Sequence, residues 1–218
     1  MSIGIGENLT ESFGYAKDKL VGSIGNWIIL MILTIIPIVN FIAMGTYLKV
    51  YRGEDPKVEN IGKSFVDGLL LFIIAFIYML IPTIIAILLG VGSLMIGSVF
   101  MSPTGSVGGA AMFAALAASM GLILLCIIIF ILFALIMTPA IVNFARKGFG
   151  AAFNFSEIFG MVAKAGWLKY ILCIIILAVI FGIIGLLGMI PFIGWLVMII
   201  ILPFLIVWAS KFWTNLFA

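Results

Sequence analysis

The sequence predicts an all-α, polytopic integral membrane protein, and three observations carry that prediction. Of its 218 residues, 66% are hydrophobic and 9% charged, whereas soluble domains are about half apolar and about a quarter charged. The ionisable residues fall in four groups, which leaves charge-free stretches from Leu20 to Leu48, from Gly68 to Ala145 and from Tyr170 to Ser210. A helix needs roughly 20 apolar residues to cross a hydrocarbon core of about 30 Å. The second and third stretches are each long enough for two crossings, and each is interrupted where a turn belongs, by Gly90 to Gly109 and by Gly188-Met189-Ile190-Pro191-Phe192-Ile193-Gly194.

The first stretch reads either as one helix kinked at Pro37 or as a short hairpin turning at Pro37-Ile38-Val39-Asn40. The charges favour the hairpin. Both other turns lack charge, so the basic groups mark the cytoplasmic side, which takes in residues 52–66 and 146–165. Only a hairpin then keeps Glu7, Glu11, Lys17, Asp18 and Lys19 on that face as well. Its arms are short, so it dips into the bilayer or thins it. The expected product has about six membrane segments, the first hairpin short or re-entrant, in one domain over residues 1–218. It lies in the cell membrane with both termini cytoplasmic.

The same device precedes each hairpin. Asn8-Leu9-Thr10-Glu11-Ser12-Phe13-Gly14 is matched by Asn154-Phe155-Ser156-Glu157-Ile158-Phe159-Gly160, and a degraded copy starts at Asn60-Ile61-Gly62-Lys63-Ser64-Phe65. Asparagine followed three residues later by glutamate is a capping-box variant, so Asn8 and Asn154 are expected to start helices. The fold is thus read as three units, about 8–52, 57–147 and 152–213, each an interfacial amphipathic helix leading into a transmembrane hairpin.

Packing signals follow. Ala110, Ala114 and Ala118, with Ala111, Ala115 and Ser119, form small-residue rows, and Ala178, Gly182, Gly185 and Gly188 form another, suited to close helix contact. Asn40 and Asn143 are expected to satisfy backbone freed by Pro37 and Pro139. Trp167, Tyr170, Trp208 and Trp213 are expected as interfacial belt anchors.

Particular motifs carry a resemblance. Phe13-Gly14-Tyr15-Ala16-Lys17-Asp18, Ile36-Pro37-Ile38-Val39-Asn40 followed by Gly45 and Tyr47, Phe65-Val66-Asp67-Gly68, and Ala151-Ala152-Phe153-Asn154 together resemble the domain of unknown function 4013 (DUF4013) family. The resemblance implies an uncharacterised prokaryotic, mostly archaeal, membrane protein. Asp55-Pro56-Lys57-Val58-Glu59 departs from the family pattern in the first loop, and Thr46 separates a usually adjacent Gly-Tyr pair. More distantly, Gly45 to Arg52 followed by an interfacial helix and a hairpin is similar to YciC-like and glycerophosphodiesterase membrane-domain six-helix proteins. The resemblance implies three hairpins and no functional residue.

Chemistry is sparse. There is no histidine, and Cys126 and Cys173 sit in apolar runs, read as small hydrophobes. Glu54, Asp55, Glu59 and Asp67 gather in one loop, but Lys49, Arg52, Lys57 and Lys63 neutralise them, so a solvated loop outweighs a cation site. No ionisable residue lies in the membrane stretches, which argues against proton-coupled transport. No catalytic residue, metal ligand or cofactor site is assigned. We therefore expect a non-enzymatic component that organises lipid or docks a partner at its cytoplasmic face, with Lys63, Arg146, Lys147, Lys164 and Lys169 as headgroup contacts. The alternative is a passive channel or a carrier for a small apolar or lipid-like solute. Expected partners are membrane lipids, a second copy or another membrane protein, and no nucleic acid.

Overall fold

The structure is a computed structural model that describes residues 3–100 and 109–218, the side chains of 91–100 and 109–119 excepted. All regular structure among the described residues is helical: α1 Ile5–Leu20, α2 Ile24–Ile35, α3 Asn40–Tyr51, α4 Ile61–Phe100, α5 Gly109–Lys147, α6 Phe155–Ala165, α7 Trp167–Leu187 and α8 Ile193–Leu216, with 3-10 turns at Val21–Ser23 and Phe149–Phe153. The chain divides into two compact units, Met1–Ile74 with Thr138–Ala218, and Ala75–Met137.

Among the described residues, five stretches are long and apolar enough to cross a membrane: Ile5–Ile35, Ile61–Gly90, Met120–Lys147, Trp167–Leu187 and Ile193–Leu216. Met120–Lys147 has a mean hydropathy of 3.3 and no burial inside the chain across its most apolar window. Surface of that kind is tolerated only against lipid. The chain is a multi-pass membrane protein. The remaining expected segment is α3, whose 12 residues make about 18 Å at 1.5 Å per residue; it is the short return arm of the first hairpin.

Within the first unit, α1 and α2 run antiparallel to α8. Asn8 donates to the Phe212 carbonyl at 3.0 Å, Trp208 donates to the Leu9 carbonyl at 3.2 Å, and Trp27 donates to the Ile200 carbonyl at 3.0 Å. Progress from residue 8 to 27 is therefore progress from 212 back to 200. The chain then turns at 36–39, and α3 returns until Thr214 meets the Val50 carbonyl at 3.4 Å. Pro37 thus sits in a turn between two helices, and α1–α3 leaves at the end where it entered. Ala16, Leu20, Leu30, Ala43, Tyr47, Val50, Leu205, Val207 and Trp208 form the core of this arrangement.

The helix starts correct one expectation. Asn154 caps α6 as predicted, its Oδ1 accepting the Glu157 N–H at 3.3 Å. Asn8 does not: α1 begins at Ile5, the Asn8 N–H is already bonded to the Gly4 carbonyl, and the buried side chain ties α1 to α8 while accepting from Ser12. Nor does the third copy give a separate surface helix, since α4 runs unbroken from Ile61 through Pro82 to Phe100. Its glycines 90, 92 and 97 continue the helix instead of ending it, which narrows the expected Gly90 to Gly109 turn. The alanine rows from Ala110 to Ser119 lie outside the described side chains.

Close packing falls only partly where expected: of the Ala178 to Gly188 row, Gly188 packs closely, a β-carbon there lying 3.3 Å from Met198 Cγ. A β-carbon on Gly182 or Gly185 would meet nothing within 4 Å, whereas one on Gly45 would lie 1.8 Å from the Ser64 carbonyl oxygen and one on Gly68 1.8 Å from that of Phe41. Gly45 and Gly68 let α3 and α4 cross backbone to backbone. Trp208, Trp213 and Tyr170 are buried, not belt residues, and Trp167 alone of that set is exposed. Their amphipathic rings fill the α8 seam, where Tyr170 lies edge-on to Trp213 at 5.7 Å.

The α7–α8 turn falls at the expected residues, with exposed Met189, Phe192 and Trp195 around it and Phe192 at a left-handed φ of 61°. In the second unit, the later part of α4 and the earlier part of α5 line an apolar groove of about 560 Å³ that includes Ala86, Gly90, Leu122 and Cys126.

Candidate functional site

Glu11, Arg146, Lys147, Glu157, Lys164 and Lys169 meet at the end of the first unit opposite the 36–39 and 188–192 turns. Local geometry puts them there. Gly148, at φ 97°, ends α5 immediately after Arg146 and Lys147. The Asn154 cap starts α6, and Gly166, at φ 92°, ends it with its N–H on the Val162 and Ala163 carbonyls. Helix α7 then begins at Trp167, which places Lys169 in its first turn and adds the positive end of a helix dipole.

The result is a cleft of about 660 Å³ lined by Arg146, Lys147, Lys164 and Lys169, with Glu11, Asn143, Glu157 and Asn215 among its other walls. Four of the five basic residues picked out as headgroup contacts thus come together. Lys63 does not; it is exposed in the first turn of α4.

The four differ in what they hold. Arg146 donates to the Phe217 and Thr214 carbonyls at 2.6 and 3.2 Å, capping the open carbonyls of α8. Lys169 donates to the Ile3 carbonyl at 2.7 Å. Lys147 pairs with Glu157 at 3.0 Å. Lys164, exposed, makes no ion pair among the described residues.

Asn143 corrects an expectation. Its amide does not serve backbone freed by Pro139; it donates to the Ala151 carbonyl at 2.9 Å and to Glu157 at 3.0 Å, holding the segment that leads into α6. The Glu157 carboxyl lies below its ordinary value, chiefly through the Asn143 hydrogen bond and next through Lys147. Sequence reasoning missed Asn143 and Asn215 as cleft residues, although Asn143 and Lys147 are four apart on one face of α5.

Two of the four first-loop carboxylates, Asp55 and Asp67, are ion-paired. Arg52 pairs with Asp67, and its Nε donates to the Ala145 carbonyl at 3.0 Å. Lys19 pairs with Asp55 at 2.7 Å. No group of three or more metal-ligating side chains occurs among the described residues. The loop is instead anchored to α1 and α2, with Tyr15 donating to the Glu54 carbonyl and Asn26 bridging the Pro56 carbonyl and the Val58 N–H.

Comparison with protein families matches residues 29–193 to DUF4013, a family of proteins of unknown function. The chain belongs to the DUF4013 family. No curated protein and no solved structure matches it. In this DUF4013 protein the motif Phe65-Val66-Asp67-Gly68 has a physical reading: Asp67 takes the Arg52 guanidinium, and Gly68 makes room for the α3 backbone.

Proposed function

We propose that this DUF4013 protein is a non-enzymatic component of the cell membrane, its termini and charged end cytoplasmic, that organises lipid or docks a partner at that end. One observation supports it above others. Basic side chains from α5, α6 and α7 converge on one cleft, while the turns at 36–39 and 188–192 are free of ionisable groups. Basic residues concentrate on the cytoplasmic side of short loops, which orients the cleft inward. Proteoliposomes supplied with phospholipids should release no hydrolysis product. Reproducible turnover, abolished by a single substitution in the cleft, would sink the reading.

One observation favours a second reading, a carrier for a small apolar or lipid-like solute. The groove in the second unit is lined by apolar side chains and by Cys126, and its volume of about 560 Å³ suits one acyl chain. Substituting Ala86→Trp should block uptake of a fluorescent fatty acid if the groove is the path, and leave it unchanged if it is not.

A further inference from the structure

We propose that the cleft between α5, α6 and α7 seats a phosphate group, with Lys147, Lys164 and Lys169 supplying its charge; this rests on the reading of that end as the membrane's cytoplasmic face. The chemistry points to an anion. Four basic side chains face Glu11 and Glu157, and both carboxylates are occupied, Glu11 by Asn215 at 3.0 Å and Glu157 by Asn143 and Lys147. The positive side chains are thus incompletely neutralised, with Lys164 unpaired. Lys169 spends one of its three donors on the Ile3 carbonyl and Lys147 one on Glu157, leaving others for a ligand; Arg146, held by two α8 carbonyls, adds its charge from the wall of the cleft. Lys63 is excluded because it is not a lining residue.

Depth favours a phosphate carried on a lipid headgroup over a free one. On α6, Glu157, Gly160, Met161 and Lys164 follow the spacing of one helical face and line the cleft. Ile158 and Val162 are buried in the protein, and Phe155 and Phe159 are exposed on a third face. An amphipathic helix lying at the interface buries its apolar face about 5–10 Å into the boundary between headgroups and acyl chains. With the two phenylalanines there, the lysine-bearing face lies at the level of the phosphates. A cleft of about 660 Å³ admits one headgroup and not an extended polyanion.

The test uses the full-length protein in nanodiscs of mixed phosphatidylcholine and phosphatidylglycerol, with retained lipid read by native mass spectrometry. Phosphatidylglycerol should be retained over phosphatidylcholine. Lys164→Gln should cut that preference by about fivefold, the effect of one lysine near a charged surface, and adding Lys147→Gln should cut it further. Lys63→Gln should leave it intact. Lys164 makes no ion pair, so an unchanged thermal midpoint for K164Q separates lost binding from lost folding. If inorganic phosphate slows labelling of a cysteine at Lys164 while no lipid preference appears, the phosphate site stands and its source is soluble. If K63Q costs as much as K164Q, or K164Q costs nothing, the binding is diffuse surface charge and the proposal is wrong. Sidedness is read separately by labelling at Lys57, so failure of the cleft is distinguishable from failure of the reading beneath it.

Discussion

Gly45 of α3 and Gly68 of α4 face each other with no room for a side chain, the amide nitrogen of Gly45 lying 2.9 Å from where a β-carbon on Gly68 would stand. The obstructing atoms are backbone, which cannot rotate aside as a side chain can. Gly45→Ala or Gly68→Ala should therefore destabilise the protein by about 3 kcal/mol or more. Gly14→Ala, where a β-carbon meets nothing within 4 Å, should stabilise α1 by about 0.5–1 kcal/mol. Unfolding midpoints in detergent decide between them, and equal effects at Gly45 and Gly14 would refute the crossing.

The Arg52–Asp67 pair has side chains 19% and 15% exposed, so each charge depends on the other. Arg52→Met should cost about 3–5 kcal/mol by leaving Asp67 half-buried and unpaired. Adding Asp67→Leu should recover much of the loss. A double-mutant cycle showing no recovery would mean that Arg52 acts through the Ala145 carbonyl alone.

Asn8 and Asn154 share a sequence pattern and differ in role. At a helix start aspartate is as good as asparagine, so Asn154→Asp should leave stability unchanged. Asn8→Asp removes the donor to the Phe212 carbonyl and puts a carboxylate against it, and should cost about 2 kcal/mol. The same loss at both positions, or at neither, would contradict the assignment.

Hairpins and caps were legible where the cause is local. The 36–39 turn, the Asn154 cap and the 188–192 turn follow from proline, asparagine and glycine acting on their neighbours. Asn8 was misread because its partner lies 204 residues away, and no local pattern distinguishes a cap from a tie. The glycines after Gly90 were read as a turn because glycine breaks helices in water, but a long apolar helix in lipid must keep its hydrogen bonds and so tolerates them. In the cleft, the basic residues were legible as charge flanking the apolar stretches. Which of them are spent on backbone was not, since the acceptors of Arg146 come from α8, 68 and 71 residues on.

Acid should loosen α6. The folded Glu157 carboxyl lies below its ordinary value of 4.5, held there first by Asn143 and then by Lys147. A group with a depressed folded pKa contributes its stability above the unfolded value and loses it as pH falls through the folded one. Hydrogen exchange in residues 155–165 should accordingly rise only below pH 4.5, and Glu157→Gln should remove the pH response. Loosening on the alkaline side instead would show that another group holds the helix.

The proposed orientation, in which the end of the first unit that carries the basic cleft faces the cytoplasm, has one direct test. Single cysteines at Lys57, Lys164 and Phe192, with Cys126 and Cys173 replaced by alanine, can be exposed to an impermeant thiol reagent in intact cells and again after lysis. The account predicts labelling at Phe192 in intact cells, and at Lys57 and Lys164 only after lysis. Labelling of Lys57 or Lys164 in intact cells, with Phe192 protected, would contradict it.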